Sequence, residues 1–346
     1  MQRLDQAAAE PQLITSSRLE HIVSDVKRIS REDATSYEYA VKEPQLRVAQ
    51  GEPFVMETRD ALNGRIRKTT DLLNEETLGH IFTDGFSNPS AGPVFVEGAE
   101  PGDTLVVDIL DIVPGPVGFV ATQGGVGALV GSKYAGLAEP YTELVEHRPG
   151  PSGTTSDGTA HLTNGTSWPL EPHIGALGLA PRRPEQGFDT FTMQSRFGGN
   201  LDVVDIKKGH RIFYPVAHEG ALLYVGDVQA SQATEFAGSA DETEADVTLA
   251  CSVIKGKQPP FVRIETPTHL IQLASQRPWE DAVRQAHLWL LDWLVEDYGV
   301  DPKDAVTHFN GNGGVQVRVY CTYLSEKTKG AVGVQFPKAS LNSSQQ

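Results

Sequence analysis

Strand-length apolar runs, each cut by a glycine, a proline or a polar turn, recur along nearly the whole chain and leave room for one long helix. VFVEG and TLVVDILDI are joined by AEPGD, which reads as a reverse turn with Pro101 at its second position. Asn63-Gly64 tolerates positive φ at both positions and so marks either a hairpin or a small binding loop. Residues 148–190 are dense in Pro, Gly and Ser, punctuation that denies long helices and suits loops and short strands covering a sheet. The expected product is a β-sheet built from meanders.

The helix breaks this pattern near Pro278, where Ala282, Ala286, His287, Leu290, Trp293 and Leu294 form an apolar stripe at helical spacing. That stripe is core packing. Asp301-Pro302 with Asp304 starts a second helix, since an acid and a proline suit the free amides of a first turn. VQVRVYCTYL then returns as a strand, and residues 266–346 form an α+β part packed against a β-rich 21–265 that carries the site. A chain of 346 residues fits either two intimately packed domains or one large β-rich domain. Residues 1–20 are polar, lack periodicity and read as a flexible leader.

Lys plus Arg number 29 against 45 Asp plus Glu, a net charge of −16 that repels phosphate backbones and anionic lipid heads. Neither a nucleic-acid nor a membrane partner is expected. The N-terminus lacks a basic stretch followed by an apolar one, and no apolar run approaches ~18 residues, so the expected location is cytoplasmic. Cys251 and Cys321 both fall in strand-like runs and read as buried, inert thiols. Gly125, Gly127 and Gly131 form a loose glycine pattern without a following helix or βαβ unit, which favours a structural loop over a nucleotide site.

Chemistry concentrates between Gly198 and Glu235. Asp202, Asp205, Asp227, His210 and His218 stand beside a Gly-Gly turn and two strand-like runs, and Asp227 lies just past the run LLYVG, where a strand end faces a cleft. Each acid is equally suited to forming a turn by bonding its own backbone. Asp205 is out of step with its neighbours and reads as a solvated face, His210 as surface. His218 fits the turn HEG as well as a site, and a lone His such as His173 is ordinarily a packing residue.

GPVFVEGAEPGDTLVVDI, PHIGALGLAP and GGNLDVVDIKKGHRIFYPVAHEGALLYVGDVQASQ, in this order and spacing, resemble the acetamidase/formamidase family of bacterial and fungal amide hydrolases, from about Glu52 to Lys338. The resemblance implies a mostly-β architecture with jelly-roll-like and barrel-like β domains, a smaller α+β part with a C-terminal helical-strand subdomain, and a homodimer or higher homo-oligomer. It also implies hydrolysis of a short aliphatic amide such as formamide or acetamide to ammonia and the acid. The family's polar and metal-binding positions map to Asp60, to Asn200 and Asp202, and to Asp227, Gln229 and Glu235. This chain departs at Phe197, where the family has His, at Gln229 in place of the His of GDxH, and at QATE, which replaces QGDGE with Thr234 for the Asp and one residue fewer.

From the resemblance, Asp60, Asp202 and Asp227 would hold a divalent metal. Ca²⁺ or Mg²⁺ is favoured over Zn²⁺ because two imidazoles are replaced. Asp227 and Glu235 would move protons, Asn200 would stabilise the oxyanion and His218 would protonate the departing nitrogen. Gln229, Phe197, His173 and Gly199 would contact substrate. Two alternatives stay open: a divergent hydrolase of a larger amide or ureide, and a binding protein that kept the fold without the chemistry.

Overall fold

The computed structural model describes residues 26–74, 76, 87–123, 127–182, 188–235, 238–321 and 328–341. The expected leader over residues 1–20 and Gly125 lie outside them. Among the described residues the protein is mostly β, with a smaller helical part near the C-terminus. No helix among them is long and apolar enough to cross a membrane.

Strands β1 (Phe54–Thr58), β2 (Ser90–Val96), β3 (Thr104–Pro114), β4 (Val117–Thr122), β5 (His173–Leu179), β6 (Gly198–Asn200), β7 (Arg211–Pro215), β8 (Leu223–Ser231), β9 (Asp241–Thr243), β10 (Ala245–Ile254), β11 (Arg263–Glu265), β12 (His269–Ala274), β13 (Gln316–Val319) and β14 (Val332–Pro337) suffice to locate the site. A nine-stranded sheet runs from Lys27–Ile29 through β1, β10, β3, β7, β11, β12 and β14 to β13. An eleven-stranded sheet contains β4, β9, β8, β5 and β6 in that order, with β2 added to β8. The two sheets share one apolar core, in which Val107, Ile109, Ile212, Val247 and Leu249 of the first meet Ile174, Leu177, Leu223 and Val225 of the second.

The AEPGD turn forms as expected, with Asp103 N–H donating to the Glu100 carbonyl at 3.1 Å. It does not join a meander, however, because β2 and β3 on either side of it belong to different sheets. The turn chemistry is local, whereas the partner of each strand is set by burial on both faces. Asn63 and Gly64 adopt positive φ as expected, at 52° and 76°. They sit in a loop, since β1 and β2 lie in different sheets.

Helix α1 (Trp279–Tyr298) buries Ala282, Ala286, Leu290, Trp293 and Leu294 against Leu270, Ala274, Val332, Val334 and Phe336 of β12 and β14. Asp301 caps α2 (Pro302–Gly311) by accepting from Lys303 and Asp304 N–H. The boundary drawn at 265/266 falls between β11 and β12, which pair within one sheet.

Candidate active site

The site opens where β8 changes neighbours. Along Leu223–Gly226, β8 pairs with β2, and from Val228 to Ser231 it pairs with β9. Between the two ladders lies Asp227, with φ of 54°, so its carboxylate leaves the sheet at the break. On the opposite side β5 pairs with β6, and the GGN run hands the chain over Gly175, whose carbonyl accepts from both Leu201 and Asp202 N–H at 3.1 Å. Asp202, with φ of 50°, thereby lies beside Asp227. A methyl group built on Gly175 would stand 2.7 Å from Asp227 Oδ2 and 2.9 Å from Asp202 Oδ1, so only glycine lets the two acids approach.

These acids line a cavity of about 90 Å³ whose other wall is apolar, formed by Leu62, Leu73, Phe119 and Phe191. Glu235, Glu242, Asn88, Gln229 and Cys321 complete its polar side. Asn88 Nδ2 donates to Asp227 Oδ2 at 3.0 Å and to Asn200 Oδ1 at 3.1 Å. Gln229 Nε2 donates to Glu235 Oε1 at 3.2 Å and to Asp202 Oδ1 at 3.5 Å. Glu242 stands directly across the β8–β9 ladder from Gln229, on the same face.

Four carboxyl groups in so small a space perturb one another. Burial, then the charges of Glu235 and Asp227, pushes Asp202 well above the usual range, and burial with the Asp227, Glu235 and Asp202 charges does the same to Glu242. Burial pushes Asp227 up to about 6, its hydrogen bonds opposing. Glu235 is pushed up to about 7, by burial first and the Asp227 charge after. Strain gathers here too: of seven non-glycine residues with positive φ among the described residues, Asn88, Asp202, Asp227 and Glu235 all line this cavity. At ~1–3 kcal/mol each, such conformations persist where function needs them.

Several expected site residues lie elsewhere. Asp60 accepts from Leu62 and Gly64 N–H at 3.0 to 3.1 Å and pairs with Arg67 at 3.3 Å, so it fixes the Asn63-Gly64 loop and does not line this cavity. His218 bonds the Pro181 carbonyl at 2.6 Å, also away from the cavity. Phe197 packs on the cluster of Tyr39, Met193, Leu222 and Tyr224. Gly199 is required by packing, since a methyl there would collide with the Met193 carbonyl. His173 is fully buried behind the wall, with Nε2 at 2.6 Å from Gln229 Oε1 and Nδ1 at 3.0 Å from the Glu171 carbonyl.

Asn200 lines the cavity, but one of its two amide N–H groups is committed to the Phe191 carbonyl at 3.0 Å. Asp205 is buried, not solvated: its Oδ2 accepts from Tyr320 Oη at 2.9 Å and pairs with Arg318 at 2.8 Å. His210 is half-buried and bonds the Asp205 carbonyl. Cys251 is the inert core thiol expected, its pKa pushed up by burial. Cys321 is not inert in the same sense, because it donates to Glu235 Oε2 at 3.1 Å.

No motif in the sequence singled out Glu242, Asn88 or Gly175, and Cys321 read only as a buried, inert thiol. The clue to Glu242 was available in ADETEAD: on a strand, Asp241 and Glu242 must face opposite sides. Asp241 indeed turns away and meets His147 Nε2 at 3.2 Å, both residues buried, while His147 Nδ1 bonds the Gly115 carbonyl at 2.7 Å. Burial alone would depress His147, but the Asp241 hydrogen bond and charge outweigh it and raise its pKa. Burial raises Asp241, with His147 opposing.

In both groups the folded state holds its proton more tightly than the unfolded state. Stability should therefore fall as pH rises, for His147 from about 6.5 upward through its raised folded value. Thermal melts across this range should show the decline, with a shallower slope in His147→Gln. An equal slope in the variant would remove this pair as its source.

Residues 41–185 and 184–281 match the model of the Acetamidase/Formamidase family. A putative formamidase of Schizosaccharomyces pombe is 25% identical over 258 residues, covering 60% of this chain and 61% of that protein. An acetamidase of Mycolicibacterium smegmatis is 31% identical over 199 residues, covering 41% of this chain and 47% of that protein. The matches thus span between about half and three-fifths of the length of these relatives. Among solved structures, an acetamidase from Yersinia enterocolitica superposes with a TM-score of 0.78 at 27% identity, covering 91% of this chain and 93% of that one.

Proposed function

Because the chain belongs to the acetamidase/formamidase family, we propose that it hydrolyses a short aliphatic amide to ammonia and the carboxylic acid in the cavity at Asp227. The observation that carries this reading is the cavity itself, about 90 Å³ with acids on one side and Leu62, Leu73 and Phe119 on the other. A cavity of roughly 150 Å³ holds benzene, so this one favours an amide of a few heavy atoms over a larger amide or ureide. The alkyl end would lie on the apolar wall and the amide would face the acids.

Resonance makes an amide a poor electrophile, so attack by water needs a base and the departing nitrogen needs a proton. Asp227, near 6, is ionised at neutral pH and accepts the water's proton. Glu242, held well above the usual range, keeps its proton and gives it to the nitrogen as the C–N bond breaks. Two neighbouring carboxyls with proton affinities pushed apart form an acid–base pair. Thr328, whose buried hydroxyl lines the cavity without a hydrogen-bond partner, is available to the developing oxyanion.

Asp202 and Glu235, bridged by the Gln229 amide, are the groups suited to a divalent cation. Their fit is supported by donor atoms of Asp202, Glu235 and Cys321 that lie within 4.8 Å of one another. When bound, such a cation would polarise the amide carbonyl or acidify the attacking water. Glu235 is then a cation ligand in this reading, and Asp227 remains the base. On the family resemblance we also take the enzyme to be a cytoplasmic homo-oligomer; light scattering that gives a monomer at micromolar concentration would remove the oligomer from the proposal.

Ammonia release across a series of lengthening amides tests the size argument. Turnover is expected for formamide through propionamide and a loss of at least about tenfold by benzamide. Faster turnover of benzamide or a ureide would replace this reading with that of a hydrolase for larger substrates.

A further inference from the structure

We propose that Cys321 is a metal-ligating thiol, which completes with Asp202 and Glu235 a mixed oxygen–sulfur site for a divalent cation of borderline softness such as Zn²⁺ or Co²⁺. The inference rests on the reading of this cavity as the reaction site, and it replaces the Ca²⁺ or Mg²⁺ that the missing imidazoles and the oxygen ligands alone would favour.

The donor atoms are close enough. Two ligands of one tetrahedral cation, at ~2.0 Å for oxygen and ~2.3 Å for sulfur, lie roughly 3.5 Å apart. Cys321 Sγ is already 3.1 Å from Glu235 Oε2, and all three donors fall within 4.8 Å, so side-chain adjustment closes the site. A second observation points to a cation independently. Glu242 Oε2 is buried on the same cavity without a donor from the side chains around it, and none of the described residues lining it is Lys or Arg. Glu242 avoids the cost of an unpaired buried charge by keeping its proton, whereas for Asp202 and Glu235 a cation between them removes it.

The thiol is held in place by contacts from outside the cavity. Tyr320, its chain neighbour, donates to Asp205 Oδ2, and Arg318 pairs with the same carboxylate, which ties the end of β13 to the loop after β6. Gln194 Oε1 accepts from Gly330 N–H at 3.1 Å and fastens the segment before β14 to the same place. Gln229 steadies Asp202 and Glu235 from behind, the kind of outer contact that orients metal ligands. An all-oxygen set would suit Ca²⁺ or Mg²⁺, whereas a thiolate directs the site toward softer ions. Binding exchanges the S–H bond for an S–metal bond and releases the proton to solvent.

Titration of metal-free protein with Co²⁺ tests this without recourse to activity. The wild type is expected to develop the near-ultraviolet absorption of a thiolate–cobalt bond. Cys321→Ser should lose it and bind Co²⁺ more weakly by at least the roughly 10–100-fold that loss of an outer contact costs, while excess Ca²⁺ should not displace Co²⁺ from the wild type. Cys251, buried in the inter-sheet core, leaves the absorption in place if substituted. Co²⁺ binding without that absorption, its persistence in Cys321→Ser, or no binding at all would overturn the proposal. The wild-type spectrum decides even if the variant folds poorly. Ammonia release measured on the same samples keeps the two readings apart, since amide turnover without the absorption leaves the hydrolase standing and removes only the thiol.

Discussion

Asp227→Asn is expected to lower kcat/KM for a short amide by ~10²–10⁴-fold, the usual contribution of a positioned general base. The substitution keeps the shape of the side chain and removes its charge. Its neighbours are Asn88 at 3.0 Å and three further acids on one small cavity, so removal of one buried negative charge relieves repulsion. The melting temperature should therefore hold or rise while turnover collapses, which separates a chemical role from a structural one. Unchanged turnover would take Asp227 out of the mechanism and leave the break in the β8 ladder as a structural feature only.

Gly175→Ala should cost about 10²-fold in kcat/KM, although the residue carries no functional group. The added methyl would meet Asp227 Oδ2 at 2.7 Å, the Asp227 carbonyl at 2.8 Å and Asp202 Oδ1 at 2.9 Å. Both acids must move, and a displacement of ~1 Å at a reacting group is enough for a loss of that size. Because one contact is to backbone, overpacking adds ~1–3 kcal/mol of destabilisation. Kinetics and a melt on the purified variant check both parts, and near-wild-type activity would mean that the acids need not sit where the glycine now lets them.

What was legible in the sequence was local. Asp227 could be singled out because an acid just past a fully apolar run marks a break, although the strand does not end there: β8 continues to Ser231 and changes its ladder at Asp227, with φ of 54°. The α1 stripe and the Asp301 cap were readable for the same reason, since helical spacing and first-turn chemistry involve residues a few positions apart. The mostly-β class followed from short runs and frequent turns.

The remainder depended on pairings between distant segments. Asn88 reaches Asp227 from 139 positions away, and Cys321 reaches Glu235 across 86. Nothing near either residue in the chain announces its partner. Asp60 and Asp205 were misplaced for a related reason: an acid beside a turn or on an alternating strand has the same local signature whether it faces a site, a loop amide or a buried tyrosine. The family resemblance pointed to Asp202, Asp227 and Glu235, which the fold brings to one cavity. It did not point to Glu242, which faces that cavity from across the ladder opposite Gln229.

Amide hydrolysis itself is tested by ammonia and carboxylic acid measured together, with formamide and acetamide as substrates and protein purified without chelator. Equal amounts of the two products are expected, growing with time and in proportion to enzyme. No ammonia from either amide, with the protein folded and Zn²⁺ or Co²⁺ supplied, would contradict it and bring forward the binding protein that kept the fold without the chemistry.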